Sequence, residues 1–255
     1  MADGEVRVRD PKAGVSDLPV RLASAIVMLV LAGAALWLGG WFWTGFVALI
    51  GAGIVWEWNR LIERFGMTGL GETAWFFSGV VYIGGAALAM VIVRNGLTDF
   101  FPNSPIRGYG PLEVLLVFIL PIIAVDVGAY FVGRMVGGPK IAPKISPAKT
   151  WSGLVGGALA AGLVGVAVEV SDLGPASVVP SFTLVNLGFA MLAGLIIAVL
   201  AQAGDFFESW MKRRAGVKDS GALIPGHGGL FDRLDGFLGV FFVLFLIAML
   251  PALLG

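Results

Sequence analysis

Cysteine is absent from this 255-residue chain, histidine occurs once, and charged side chains make up only 13% of it. The first absence excludes disulfides, thiolate metal sites and a cysteine nucleophile together. The second leaves His227 alone and excludes any multi-histidine zinc centre. Carboxylates remain as protein ligands for a metal, and they suit hard cations such as magnesium. The shortage of charge has the widest consequence. A soluble globular chain carries about 25% charged residues, whereas here 58% of residues are hydrophobic and the mean hydropathy is +0.91. Too few charges remain to build a wetted surface, so lipid must replace water around much of the molecule. The formal net charge is zero, and no global field points to nucleic acid as a partner.

What is present in quantity is long apolar sequence. A helix needs about 20 mostly apolar residues to cross the hydrocarbon core. Runs near that length lie at 22–38, 41–56, 74–93, 112–133, 151–170, 182–203 and 234–254. They predict an all-α polytopic membrane protein with about seven transmembrane helices, within a range of six to nine. Residues 22–255 then form a single transmembrane domain. Residues 1–21 mix four acids with Arg7, Arg9, Lys12 and Arg21 and read as a polar tail outside any packed domain. A cleavable signal peptide is a poor fit, because the first apolar run turns straight into the second at Gly39-Gly40. With the N-terminus in the cytoplasm, the loops place 14 lysines and arginines inside and 2 outside, Arg94 and Arg107, while Arg233 sits at a membrane edge. The basic segments 134–150 and 204–233 must then share the cytoplasmic face.

Chemistry concentrates in two segments, 126–153 and 204–235. If the sixth span continues as helix, Asp205, Glu208, Ser209 and Lys212 stand at i, i+3, i+4 and i+7 and share one face as it leaves the membrane. Asp232 and Asp235 are likewise i, i+3 at the start of the last span, where a capping role is the plain alternative. Between them lies Pro225-Gly226-His227-Gly228-Gly229, a turn whose backbone N–H groups can face an anion. In the other segment Asp126 lies within an apolar span, where a carboxylate costs about 3 kcal/mol on insertion scales. It shares a helical face with Tyr130 and Arg134, so an ion pair with Arg134 would account for it structurally. Lys140, Lys144, Ser146, Lys149 and Thr150 then precede the next helix. Hydroxyls and lysines at a helix N-terminus suit phosphate, but they would also serve as topology anchors or contacts for lipid headgroups.

At these residues the chain resembles the phosphatidate cytidylyltransferase (CDP-diacylglycerol synthase) family. The family signature S-x-x-K-R-x4-K-D-x-G-x3-P-G-H-G-G-x2-D-R-x-D is met by Ser209, Lys212, Arg213, Lys218, Asp219, Gly221, the 225–229 turn, Asp232, Arg233 and Asp235, fourteen fixed positions in 27 residues. Asp126-Val127-Gly128-Ala129-Tyr130 and Ser146-Pro147-Ala148-Lys149-Thr150-Trp151 are similar to two further family stretches. Ala148 and Ser152 depart from the lysine and glutamate usual there.

The resemblance implies that CTP and phosphatidic acid react to give CDP-diacylglycerol and pyrophosphate, with magnesium and room for a second cation, in a bacterial-type cytoplasmic membrane with the site facing the cytoplasm. Phosphatidate is already anionic, so catalysis must be mostly positioning and charge neutralisation. Asp205 and Asp232 are then the expected metal ligands. Lys149, Lys212, Arg213 and Lys218 would hold phosphates in a watery cleft. Asp126, Ser146, Thr150, Ser209, Asp219 and Arg233 complete the substrate-binding set, and His227 would contact a phosphate or pass a proton to pyrophosphate. A homodimer is left open. The competing readings are another magnesium-dependent membrane phospho- or glycosyl-transferase and, in a different class, a cation channel or transporter with Asp126 on its ion path.

The charge asymmetry generates a labelling test. In this cysteine-free chain, single cysteines introduced at 145 or 215 should react with an impermeant maleimide from the cytoplasmic side only, and one at 103 from the opposite side. Labelling of 145 and 215 from opposite sides would separate the two segments and dismantle the site.

Overall fold

A computed structural model describes residues 13–96, 110–170 and 184–254. Arg7, Arg9, Lys12, Arg107 and the labelling position 103 lie outside the described residues. The elements run α1 (Ala13–Leu38), α2 (Gly40–Glu63), α3 (Leu70–Arg94), α4 (Pro111–Met135), β1 (Lys140–Ala142), β2 (Ser146–Thr150), α5 (Trp151–Val170), α6 (Leu184–Arg214) and α7 (Phe231–Leu254). Seven helices among the described residues are long and apolar enough to cross a membrane, one for each expected run. The structure adds three details. Helix α1 begins at Ala13, so the end of the polar stretch is already helical. Helix α6 runs on to Arg214, carrying the acidic face of 205–212 on regular helix. The segment 134–150 is not all loop, because β1 and β2 pair as an antiparallel hairpin with Lys140 opposite Thr150 and Ala142 opposite Ser146.

In space α4 packs on α5, α5 on α6, α6 on α7, α7 on α3 and α3 on α2, with α1 laid against α2. Lipid tails are as apolar as the side chains, so the drive to associate must come from close packing rather than from escape from water. Small residues supply it. A Cβ on Gly128 of α4 would lie 2.7 Å from the Gly156 carbonyl oxygen of α5, and one on Gly157 would lie 2.9 Å from that of Val125. Gly194 of α6 meets Gly162 and the Ala158 carbonyl of α5, and Gly239 of α7 meets the Leu200 carbonyl and Gly204 of α6. The other half of the bundle is joined by aromatics. Trp58 is 1% exposed, and its indole lies 5.8–6.2 Å from the rings of Trp75, Tyr82, Phe207 and Phe231, linking α2, α3, α6 and α7. Its Nε1–H donates to the Trp75 carbonyl at 3.0 Å.

The two ends differ in charge. At one end Arg94 reaches across, donating to the Leu36 and Trp37 carbonyls at 2.8 and 3.1 Å and so satisfying the C-terminus of α1. Gly39, at φ 62°, makes the turn into α2 and leaves room for that guanidinium. At the other end the hairpin meets the end of α6, with Arg213 Nε donating to the Ile145 carbonyl at 3.3 Å. The two basic segments therefore share one end of the bundle, as expected.

Glycine contacts of this kind should be intolerant of bulk. Gly194→Leu should lower the thermal unfolding midpoint in detergent, overpacking being worth about 1–3 kcal/mol. Gly188→Ala, with nothing within 4 Å of the added methyl, should leave the midpoint unchanged or raise it. Equal effects of the two would mean that the close α5–α6 approach does not hold the bundle together.

Candidate active site

The ion pairs between described side chains fall at the hairpin end. Lys149 of β2 reaches Asp205 of α6 at 2.5 Å. Two turns along α6 from Asp205, Lys212 lies 2.9 Å from Glu208 and 2.8 Å from Asp232 at the start of α7. The helical face read from the sequence is thus real, and its acids are met by lysines from β2 and from one turn further along α6. Ser209, also on that face, approaches Asp205 Oδ1 at 3.5 Å. Asp126 of α4 is exposed and feels the charges of Lys149 and Asp205. Asp235 of α7 feels Asp205, Lys149 and Asp126. Two adjoining clusters result, Asp126–Lys149–Asp205–Asp235 and Glu208–Lys212–Asp232. Asp205 and Asp232 sit on neighbouring helices at one end of the bundle, each paired with a different lysine.

Several expected roles change once partners are visible. Among the described residues no ion pair joins Asp126 to Arg134, whose Nη1 instead donates to the Tyr130 hydroxyl at 3.0 Å. Thr150 is 4% exposed, and its Oγ1 accepts the Gly153 N–H at 3.1 Å, capping α5. It is buried as a cap and does not face a phosphate. Ser152, at the position usual for glutamate, bonds the Gly137 carbonyl and Thr150. Lys212 does not face open water. Its side chain is 14% exposed, while Glu208 beside it is 1%. Both Glu208 oxygens are buried and lack a well-directed hydrogen bond, so the contact with Lys212 is one of charge and distance. Ser146 is half-buried, while Arg213, Lys218 and Asp219 are exposed around the rim.

The glycine-rich turn is built as its residues dictate. His227 N–H donates to the Ile224 carbonyl at 3.0 Å across Pro225-Gly226, and Gly226 has φ 76°, which makes a type II turn. Arg233 donates twice to the His227 carbonyl, at 3.1 and 2.6 Å, and so secures the turn. Of the N–H groups in this turn, that of Gly229 goes to a carboxylate of the protein itself, and N–H groups flanking the turn do the same. Asp232 accepts from Ser220 N–H at 3.0 Å and Gly229 N–H at 2.9 Å. Glu57 of α2 accepts from Leu230 N–H at 3.1 Å, Phe231 N–H at 2.9 Å and the Ser220 hydroxyl at 3.0 Å.

Two contributors escaped the sequence reading. Glu57 is 0% exposed. The available signal was an acid between two tryptophans inside an apolar span, a functional pointer by default. The other is Ser24 of α1, whose Oγ lies 2.9 Å from His227 Nδ1 and 3.0 Å from both the Pro225 and Arg21 carbonyls. The Ser24 hydroxyl thus ties the His227 ring and the Pro225 turn to α1.

Comparison with known proteins agrees with this picture. The profile described as the Cytidylyltransferase family matches residues 82–250. A phosphatidate cytidylyltransferase of Brucella suis biovar 1 is 33% identical over 262 aligned residues, covering 91% of this chain and 93% of that protein. One from Rickettsia bellii is 33% identical over 238 residues, covering 91% of each chain. Another, from Rickettsia felis, is 34% identical over 237 residues, covering 91% and 92%.

The position of Lys212 generates a stability test. Lys212→Met keeps the stem and removes the cation that Glu208 and Asp232 share. Breaking a buried pair from one side costs about 3–5 kcal/mol, so the unfolding midpoint should drop clearly. Arg213→Ala, at the exposed rim, should change it by less than about 1 kcal/mol. Matching midpoints would mean that the ammonium does not hold the two acids.

Proposed function

The chain belongs to the Cytidylyltransferase family, and from that premise we propose that it transfers the cytidylyl group of CTP to phosphatidic acid, giving CDP-diacylglycerol and pyrophosphate. The observation that carries this reading is the pair of lysine–carboxylate clusters at one end of a membrane bundle. A lipid headgroup and a nucleotide can meet there without either crossing the bilayer.

The reaction needs little acid–base chemistry. A phosphate oxygen of phosphatidate, already anionic, forms a bond to the α-phosphorus of CTP. The bond from that phosphorus to the oxygen bridging to the β-phosphate breaks, and pyrophosphate leaves with its electrons. The obstacle is repulsion between a phosphomonoester and a triphosphate of about four negative charges. Lys149 and Lys212 are suited to lowering it, because each already holds an ammonium among carboxylates and can share it with phosphate oxygens. His227, fixed through Nδ1 by Ser24, can offer Nε2 to a phosphate or proton on the pyrophosphate side.

The donor set also fits magnesium. Two lysines face five carboxylates in the adjoining clusters, so an anionic nucleotide would enter an already acidic site. Among the described residues no three acid or histidine side chains gather into a closed ligand set. Magnesium is usually held by one or two carboxylates and completed by phosphate and water. Asp205 and Asp232 are the proposed ligands, and the bound ion would offset charge on the triphosphate. The basic asymmetry of the loops makes the N-terminus and the site cytoplasmic in this reading, and the bacterial relatives suggest an inner membrane.

Purified protein in detergent, given CTP, phosphatidate and magnesium, should yield a lipid with the mass of CDP-diacylglycerol and an equal amount of pyrophosphate. Asp205→Asn and Asp232→Asn should each reduce the rate by about a hundredfold or more, without loss of membrane insertion. Both should also remove most of the thermal stabilisation given by magnesium. A transporter would make no CDP-lipid under these conditions, and that outcome would overturn the proposal.

A further inference from the structure

Glu57 is a fully enclosed acid of the bundle, and it stands outside the stretch 82–250 that matches the family profile. A carboxylate with no exposed surface requires donors, and this one has three: the Ser220 hydroxyl and the N–H groups of Leu230 and Phe231. All three belong to the segment joining α6 to α7. The fit is close enough to dictate neighbouring residues. A Cβ on Gly229 would lie 2.6 Å from Glu57 Oε2, and one on Gly221 would overlap the carboxylate. Glu57 fills the space beside Gly221, and together with the Ser220 hydroxyl it fills the space beside Gly229.

The contacts continue toward the site. Ser220, held by Glu57 through its hydroxyl, uses its own N–H to bind both oxygens of Asp232, at 3.2 and 3.0 Å. Asp232 in turn holds Lys212 at 2.8 Å. Trp58, the next residue of α2, packs on Phe231 and Phe207 and so fixes the depth of Glu57 against α6 and α7.

We propose that Glu57 is a positioning residue for the transfer reaction: through Ser220 and the first N–H groups of α7 it sets where Asp232, and with it Lys212, stand relative to the substrates. The proposal rests on the cytidylyl-transfer reading above. Glu57 touches no substrate itself. An amide cannot replace it, because its nitrogen would face a donor and leave one of the three contacts repulsive.

Three variants test this: Glu57→Gln, Ser220→Ala and the double variant. In Glu57→Gln, kcat per folded molecule should fall about tenfold or more, since a displacement near 1 Å in a supporting group costs up to about a hundredfold. The magnesium concentration for half-maximal rate should rise, and the magnesium-induced thermal shift should shrink, two readouts that a merely structural contact would not move. Amide exchange in the peptides spanning 219–233 should quicken by about tenfold or more, with α4 and α5 unchanged. Ser220→Ala removes only the hydroxyl link and tests the idea even where Glu57→Gln folds poorly. Its kcat should fall about threefold or more, and the double variant should be no worse than Glu57→Gln alone, as expected for residues acting through one another. Wild-type kcat in either single variant, or losses that multiply in the double variant, would overturn the role. If wild-type protein makes no CDP-lipid at all, the functional reading falls and this role with it. Product from the wild type with unaltered kinetics in Glu57→Gln would remove this proposal alone.

Discussion

An ionised carboxylate drawn into an apolar bundle must be met by donors, and the hairpin end of this protein is organised around meeting that demand. Glu57 and Glu208 have no exposed surface, and the Asp232 side chain is 9% exposed. They are satisfied in two different ways. Glu57 takes backbone N–H groups and a hydroxyl, which are fixed once the chain has folded. Asp232 combines both, taking the Ser220 and Gly229 N–H groups while sharing the Lys212 ammonium with Glu208, and Asp205 takes a second ammonium from β2. The rigid donors hold the frame, and the movable ones remain able to answer an incoming phosphate.

That division leaves the N–H groups at the start of α7 committed to the protein's own acids. The N–H groups of Gly229, Leu230 and Phe231 would otherwise be well suited to an anion. Here the anions are internal, so affinity for a nucleotide falls to lysines and to any metal held by the acids. Such a site is preorganised in its backbone and adjustable in its charges. This suits a reaction whose substrates bring most of the negative charge with them.

Close helix packing sets the spacing of those charges. Gly204 precedes Asp205 and Gly236 follows Asp235, and each glycine lies in the α6–α7 contact: a Cβ on Gly204 would run into the Asp235 carbonyl, and one on Gly236 would meet Ala201. The contact that lets two helices associate in lipid, where burial of apolar surface gives little drive, also brings their acids together. Bulk at either glycine would separate the helices and the carboxylates by the same movement.

The sequence by itself determined what depends on composition and local period. The lack of charge and the seven apolar runs gave the membrane bundle, the i, i+3, i+4, i+7 spacing gave the polar face of α6, and the basic asymmetry put both polar segments at one end. It did not determine which donor each acid receives. Ser220 lies 163 residues from Glu57, and the Pro225 carbonyl 201 residues from Ser24. Thr150 could have faced a phosphate or capped a helix, and only its burial between α4 and α5 decided for the cap. Asp126 could have paired with Arg134 along its own helix, yet Arg134 bonds the Tyr130 hydroxyl instead. Periodicity states which side of a helix a residue occupies. The neighbour on that side is chosen by how the helices pack, and in a bundle short of polar groups that choice decides which buried charge is satisfied by which partner.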